Sequence, residues 1–345
     1  MGIKNFKIPI ILIFAAIILY TIGIVRQNAK IKNKKSQIEI TNISYDPTRE
    51  LYEKYNKEFS KYYKKTYGKD VRIVQSHGGS GSQARSVIEG LDADVVTLAL
   101  ENDVSLLEKV DLLGKNWINN FPGNSSPYTS TIVFLVRRKN PKNIKDWDDL
   151  TKNGVKVITP DPKSSGGACW NFLAAWSYGM KKFGNNNENK ISEFVKKIYK
   201  NVAVMDSGAR AATTTFVENG QGDVLISWEN EALATMREYP NDFEIVYPTV
   251  SILAQPTVAV VDKIAKKNGN FQISQKYLEY LYSDKAQNII AQSGYRPYNK
   301  EILEKYKDKF NLNMKLTTIK DFGGWKKVYE KFFEKGKIFD KIMEN

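Results

Sequence analysis

Short β-branched runs alternate with amphipathic helical stretches along most of this chain, and that alternation restricts the fold more than any other feature. Residues 38–44 (IEITNIS), 71–75, 94–98 (DVVTL), 155–159, 202–205 and 224–227 each read as a strand. Helical patterns cover 46–67, 83–90, 168–183, 211–218 and 230–238. A strand followed by a helix cannot turn straight back on itself, so such repeats build mostly parallel sheets with helices on both faces. Asp46-Pro47-Thr48 opens the first helix, with Asp46 a cap candidate and Pro47 near the first helical position. The expected fold class is α/β.

Two apolar runs, 129–136 and 252–261, differ from the short strands, and the second contains Pro256. Each reads as a crossing between two lobes. Cuts there predict one lobe from 38–130 plus 260–345 and another from 131–259. Ahead of them, residues 8–25 (IPIILIFAAIILYTIGIV) form an 18-residue apolar run between Lys7 and Arg26. As a helix it spans about 27 Å, roughly one hydrocarbon core. It reads either as a cleaved secretory signal or as an uncleaved anchor. Its length, and the lack of a clear A-x-A site after it, favour the anchor. Residues 1–37 are therefore expected to be an anchor with a basic tether. The flank after the run is more basic than the flank before it, which by itself would keep the following domain cytoplasmic. The site chemistry below argues instead for an extracytoplasmic domain.

Composition removes several function classes. A single cysteine, Cys169, allows no intrachain disulfide and no Cys-based metal cluster, and a single histidine, His77, excludes His-rich metal sites. The net charge of +14 would suggest nucleic acid, but half of it falls in the first 35 residues, which hold no acid. Elsewhere bases interleave with acids, as in Glu53-Lys54-Tyr55-Asn56-Lys57-Glu58, the pattern of a solvated helix face. No nucleic acid, metal or cofactor is expected.

Five strand-to-helix junctions hold unusual residues: Ser44-Tyr45-Asp46, Ser76-His77-Gly78-Gly79-Ser80-Gly81, Ser164-Ser165-Gly166-Gly167-Ala168, Asp206-Ser207-Gly208-Ala209-Arg210 and Ser227-Trp228-Glu229. Ligands of open α/β sheets bind beyond the carboxyl ends of strands. Glycine lets backbone N–H groups approach a ligand, serine adds a neutral hydroxyl, and helix starts leave N–H groups and partial positive charge unsatisfied. None of the junctions is a phosphate-binding G-x-x-x-x-G-K-[ST] loop or a G-x-G-x-x-G fingerprint. One such loop alone is an ordinary turn. Several in one chain, divided between both lobes, point to a small anion.

The runs SYDPTRELYEKYN, QSHGGSGSQARSVI, ADVVTLAL, NSSPYTSTIVFLVRRKNPK, VITPDPKSSGGACWN, DSGARAATTTFVE and SWENEALAT closely resemble the periplasmic sulfate-binding protein family, which includes thiosulfate binders. The resemblance covers about residues 38–300 and extends weakly to FGGW at 322–325. It implies a two-lobed periplasmic-binding-protein fold of type II-like form, with the ligand cleft between lobes. It also implies sulfate as ligand, with thiosulfate as the alternative, delivery to an ABC permease, and a monomer without catalysis. By motif, the ligand set it implies is Ser80, Ser165, Gly166, Gly167, Ala209 and Trp228, with Asp46 supporting the hydrogen-bond network. Family members often carry a basic residue where this chain has Cys169. Two readings of another class stay open: an oxyanion sensor signalling through the N-terminal helix, and an enzyme built on Cys169 with His77. The second needs a thiol activated by a helix start.

Overall fold

The computed structural model describes residues 37–344. These divide into a small unit, residues 37–39 with Ser60–Arg72, and a large one holding the rest. In the small unit the Ile38 N–H donates to Asp70 O, the Ser60 hydroxyl donates to Val71 O, and Lys64 pairs with Asp70 at 2.9 Å.

Two sheets organise the fold. The first has the order β11-β3-β1-β2, from β1 (Ile38–Tyr45), β2 (Val71–Gly78), β3 (Val95–Leu98) and β11 (Thr257–Val260). β1 runs parallel to β3 with Asn42 opposite Val95, and β11 closes the edge antiparallel to β3. The second has the order β7-β6-β8-β5-β9, from β5 (Ile132–Arg137), β6 (Val157–Pro160), β7 (Val202–Asp206), β8 (Val224–Trp228) and β9 (Phe243–Val246). β6 is parallel to β7 and β8, whereas β5 is antiparallel to β8 and β9. Every residue of β3, β6 and β8 is buried, as expected of strands covered on both faces.

Except for the helix Glu188–Lys200, which follows another helix, the helices that follow start at strand ends. They are α1 (Arg49–Tyr67), α2 (Ser80–Ile88), α3 (Glu101–Lys109), α4 (Gly166–Phe183), α5 (Glu188–Lys200), α6 (Ala209–Val217) and α7 (Glu229–Glu238). α5 shows why such stretches fold as helices: Ile191, Phe194, Val195, Ile198 and Tyr199 recur at helical spacing and are the buried set. α4 is buried through an unbroken run from Gly166 to Ser177, so it lies inside the core rather than on it.

Three expectations need correction. α2, α4 and α6 begin two or three residues earlier than the sequence suggests, because glycine's low helix propensity made Gly81, Gly166 and Gly167 read as loop. Asp46 is not a cap: a 3-10 turn, Asp46–Thr48, precedes α1, and Asp46 pairs with the Arg49 guanidinium at 3.0 Å. The C-terminal residues, expected with the first lobe, instead pack against α4 and α5. Trp325 meets Trp170 edge-on at 4.7 Å, and Phe332 and Phe339 close on Phe172. The run 252–261 is two strands, since β10 (Val250–Ile252) ends before Pro256 and β11 begins after it. Between them Ala254 exchanges both backbone hydrogen bonds with Ser130, joining the two crossing segments.

Candidate anion-binding site

The end of β1, the turn before α2, the turn before α4 and the start of α6 meet around a small hollow. Its lining is Tyr45, Asp46, Pro47, Gly78, Gly79, Ser80, Ser165, Gly167 and Ala209, with no lysine or arginine. Five of the seven residues expected from sequence are therefore brought together here: Asp46, Ser80, Ser165, Gly167 and Ala209. Gly166 is the first residue of α4 and faces a neighbouring cavity. Trp228 stands directly behind Gly167.

Three helix starts converge on this hollow, and none is capped by a side chain. Their N-caps are Gly79, Ser165 and Gly208. The first bonded amides are Gln83 to Gly79 O, Ala168 to Ser165 O and Ala212 to Gly208 O. Helix geometry leaves the N–H groups before these without intrahelical acceptors, namely Ser80 to Ser82, Gly166 and Gly167, and Ala209 to Ala211. Glycine is required where the turns touch. A Cβ on Gly79 would lie 2.9 Å from Ser164 O, and one on Gly167 would lie 3.0 Å from Trp228 Nε1.

The side chains are less free than their types suggest. The Trp228 indole N–H donates to Gly167 O at 3.2 Å, and its ring lies 5.6 Å from that of Tyr45. The Ser80 hydroxyl donates to Asp103 Oδ2 at 2.5 Å and accepts the Ala99 N–H at 3.0 Å. Asp103 is the residue that sequence reading missed. Its signal was present: Leu100, Asp103, Val104 and Leu107 follow helical spacing, so a carboxylate sits in the buried stripe of α3. Burial pushes its carboxyl up to about 6, against the Ser80 hydrogen bond and Arg85, which lower it.

The surroundings exclude a reactive centre. Cys169 is buried, and burial pushes its thiol well up, with Asp103 adding to the effect. The activation expected of a thiol near a helix start is reversed. His77 Nδ1 lies 2.9 Å from Ser44 Oγ, and burial, then Arg49, pushes its imidazole down to about 4. It is therefore neutral near pH 7. Arg210 does not pair with Asp206. It donates to both oxygens of Glu50 at 3.0 Å and to Glu231 at 3.2 Å, so it links α6 to α1 and α7. Among the described residues no group of acids, histidine and cysteine could hold a metal.

Strand-end turns from two α/β sheets that close on a small donor-lined hollow define a solute-binding protein. Sequence comparison agrees, matching the family "Bacterial extracellular solute-binding protein" over residues 40–296, and the chain belongs to this family of binding proteins rather than enzymes. It is 56% identical to a sulfate-binding protein of Escherichia coli over 89% of this chain and 93% of that one. It is 47% identical to a thiosulfate-binding protein of Pseudomonas aeruginosa over 88% of this chain and 91% of that one. The solved structure of the sulfate-binding protein SubI from Mycobacterium tuberculosis superposes with a TM-score of 0.77 at 34% identity, covering 86% of this chain and all of that one.

Proposed function

We propose that this protein captures sulfate in a cleft between two lobes of a type II-like fold and delivers it, as a monomer, to the permease of an ABC importer. The observation that carries the reading is the convergence of three uncapped helix starts on a hollow without lysine or arginine. Backbone N–H groups and helix dipoles suit a small dianion there. The sulfate-binding relatives support the ligand. We assign Ser80, Ser165, Gly166, Gly167 and Ala209 as donors, mainly through backbone N–H groups. Trp228 positions Gly167, and Asp46, which lines the hollow, is paired with Arg49.

Thiosulfate is the second reading, favoured by the relative that binds it. Titration calorimetry with sulfate, thiosulfate, molybdate and phosphate separates them. Sulfate carries no proton near pH 7, whereas phosphate carries at least one, and the one carboxylate lining the hollow, Asp46, is already paired with Arg49. Sulfate should therefore bind at least about a hundredfold tighter than phosphate, roughly 2.7 kcal/mol. Equal phosphate affinity would defeat the donor-lined model.

The sheets support a boundary near residues 130 and 255–260, with the last segment, from Trp325 on, packing on the second lobe. We also place the domain outside the cytoplasmic membrane, held by residues 8–25, which lie outside the described residues. The anchor rests on the 18-residue apolar run. No described helix is long and apolar enough to cross a membrane. Protease added to intact cells should release the domain, and a mature N-terminus near residue 30 would remove the anchor.

A further inference from the structure

The end of α1 and the start of β2 carry charge of one sign at the point where the described chain begins. Residues 60–72 (SKYYKKTYGKDVR) hold Lys61, Lys64, Lys65, Lys69 and Arg72 against a single acid, Asp70. Lys61, Lys64 and Lys65 are exposed and share one face at helical spacing, opposite the buried Tyr63. Lys64 is paired with Asp70 at 2.9 Å and Arg72 with Glu39 at 3.1 Å. Lys61, Lys65 and Lys69 pair with no acid among the described residues. Lys64 and Lys65 lie in the last turn, where cations suit the helix dipole. That does not account for Lys61 before the turn or Lys69 beyond the helix. Tyrosines accompany the lysines. Tyr67 is 40% exposed, and its ring lies 4.6 Å from that of Tyr63 and 6.3 Å from that of Tyr62. An apolar ring with a polar tip suits the boundary between water and a bilayer.

The rest of the chain joins at this same surface. The Ile38 N–H donates to Asp70 O at 3.0 Å, next to Lys69 in sequence. Residues 26–36 add Arg26, Lys30, Lys32, Lys34 and Lys35 and no acid. They connect this point to the apolar run 8–25, and residues 26–37 reach at most about 40 Å when fully extended. Two basic stretches that meet at one point repel each other, and an anionic surface against them relieves the repulsion.

We propose that the basic, tyrosine-bearing surface of residues 61–72 rests on the anionic phospholipid headgroups of the membrane that holds residues 8–25. The proposal rests on the anchored reading of that apolar run. Contact with the headgroups keeps the binding domain at the bilayer, where an importer's permease lies, instead of at the full reach of its tether. The local concentration of the domain at the permease rises accordingly.

The test uses the full chain, labelled with a fluorophore through Thr66→Cys and reconstituted into vesicles that carry an acceptor dye on their headgroups. Thr66 is exposed and Cys169 is buried, so the label reports on residue 66. In about 0.1 M NaCl, energy transfer should be about twofold higher with about 30% phosphatidylglycerol than with phosphatidylcholine alone, and about 0.5 M NaCl should remove the difference. The combined substitutions Lys61→Glu, Lys65→Glu and Lys69→Glu should also remove it, with sulfate affinity unchanged by calorimetry. Because these leave residues 26–36 intact, they separate this surface from the basic tether. If that variant does not fold by circular dichroism, glutamine at the same three positions decides. Equal transfer on the two lipids would overturn the proposal and turn the surface toward an acidic protein instead. A lipid difference that survives the loss of the three lysines would overturn it too, and both results leave the anchor intact. A full chain that associates with neither kind of vesicle would overturn the anchor and the proposal together.

Discussion

Trp228 and Gly167 show how one contact can order a turn that lines the hollow. The indole N–H is a donor only, and it is spent on Gly167 O, in the turn whose amides face the hollow. Trp228→Phe would leave a buried carbonyl without its donor and let that turn relax. Sulfate affinity should fall by about 1.5–3 kcal/mol, whether the lost bond goes to Gly167 or to the anion. Calorimetry measures the affinity, and a thermal melt of the unliganded protein separates the two cases, because the Gly167 bond also contributes to its stability. Unchanged affinity would remove Trp228 from the site.

Among the elements, the start of α7 is tied down most firmly. Glu229, fully buried, receives two parallel hydrogen bonds from Arg296 of β12 (Arg296–Pro297), at 2.6 and 2.8 Å. β12 pairs with β4 (Tyr128–Thr129), next to the Ser130–Ala254 bridge between the crossing segments. The ion pair therefore joins the helix after Trp228 to the crossings. Removing one partner of a buried pair leaves the other charge without compensation. Arg296→Ala should lower the unfolding free energy by about 3–5 kcal/mol in urea titration. Arg296→Lys should restore little of it, since an ammonium cannot make both bonds in the fork geometry. A loss under about 1 kcal/mol would mean that water replaces the guanidinium.

At the scale of the molecule, the site exists because two sets of turns come close enough to share it. Gly79 before α2 meets Ser164 O before α4, Trp170 of α4 donates to Ala99 O at 3.0 Å, and Arg210 of α6 reaches Glu50 of α1. Gly79 has an ordinary φ of −60°, so alanine there is not strained in itself. Its methyl would instead hold the turns apart. Gly79→Ala should lower thermal stability somewhat even without sulfate, because the Ser164 carbonyl must shift, and should weaken sulfate binding about tenfold or more. Small-angle scattering should show the compaction on adding sulfate reduced. Wild-type affinity in this variant would mean that the turns do not need this close approach.

Local patterns sufficed for much of this. The period-2 runs and the helical stripes follow from side chains seeking one buried face, so the α/β class and most elements were legible from residue order. The clustering of glycine and serine at strand ends was legible too, and five of the seven expected residues line one hollow. Other features depend on partners distant in the chain. Propensity delays a helix start past glycines, but tertiary packing carried α4 back to Gly166. The C-terminal aromatics joined α4 rather than the first sheet because Trp170 and Phe172 offered edge-on partners. Above all, which donors remain free at the site is an accounting across contacts. The indole of Trp228 is bonded to a residue 61 positions away, and Ser80 to one 23 positions away. Residue type says what a side chain can donate, and only the folded arrangement decides where that hydrogen goes.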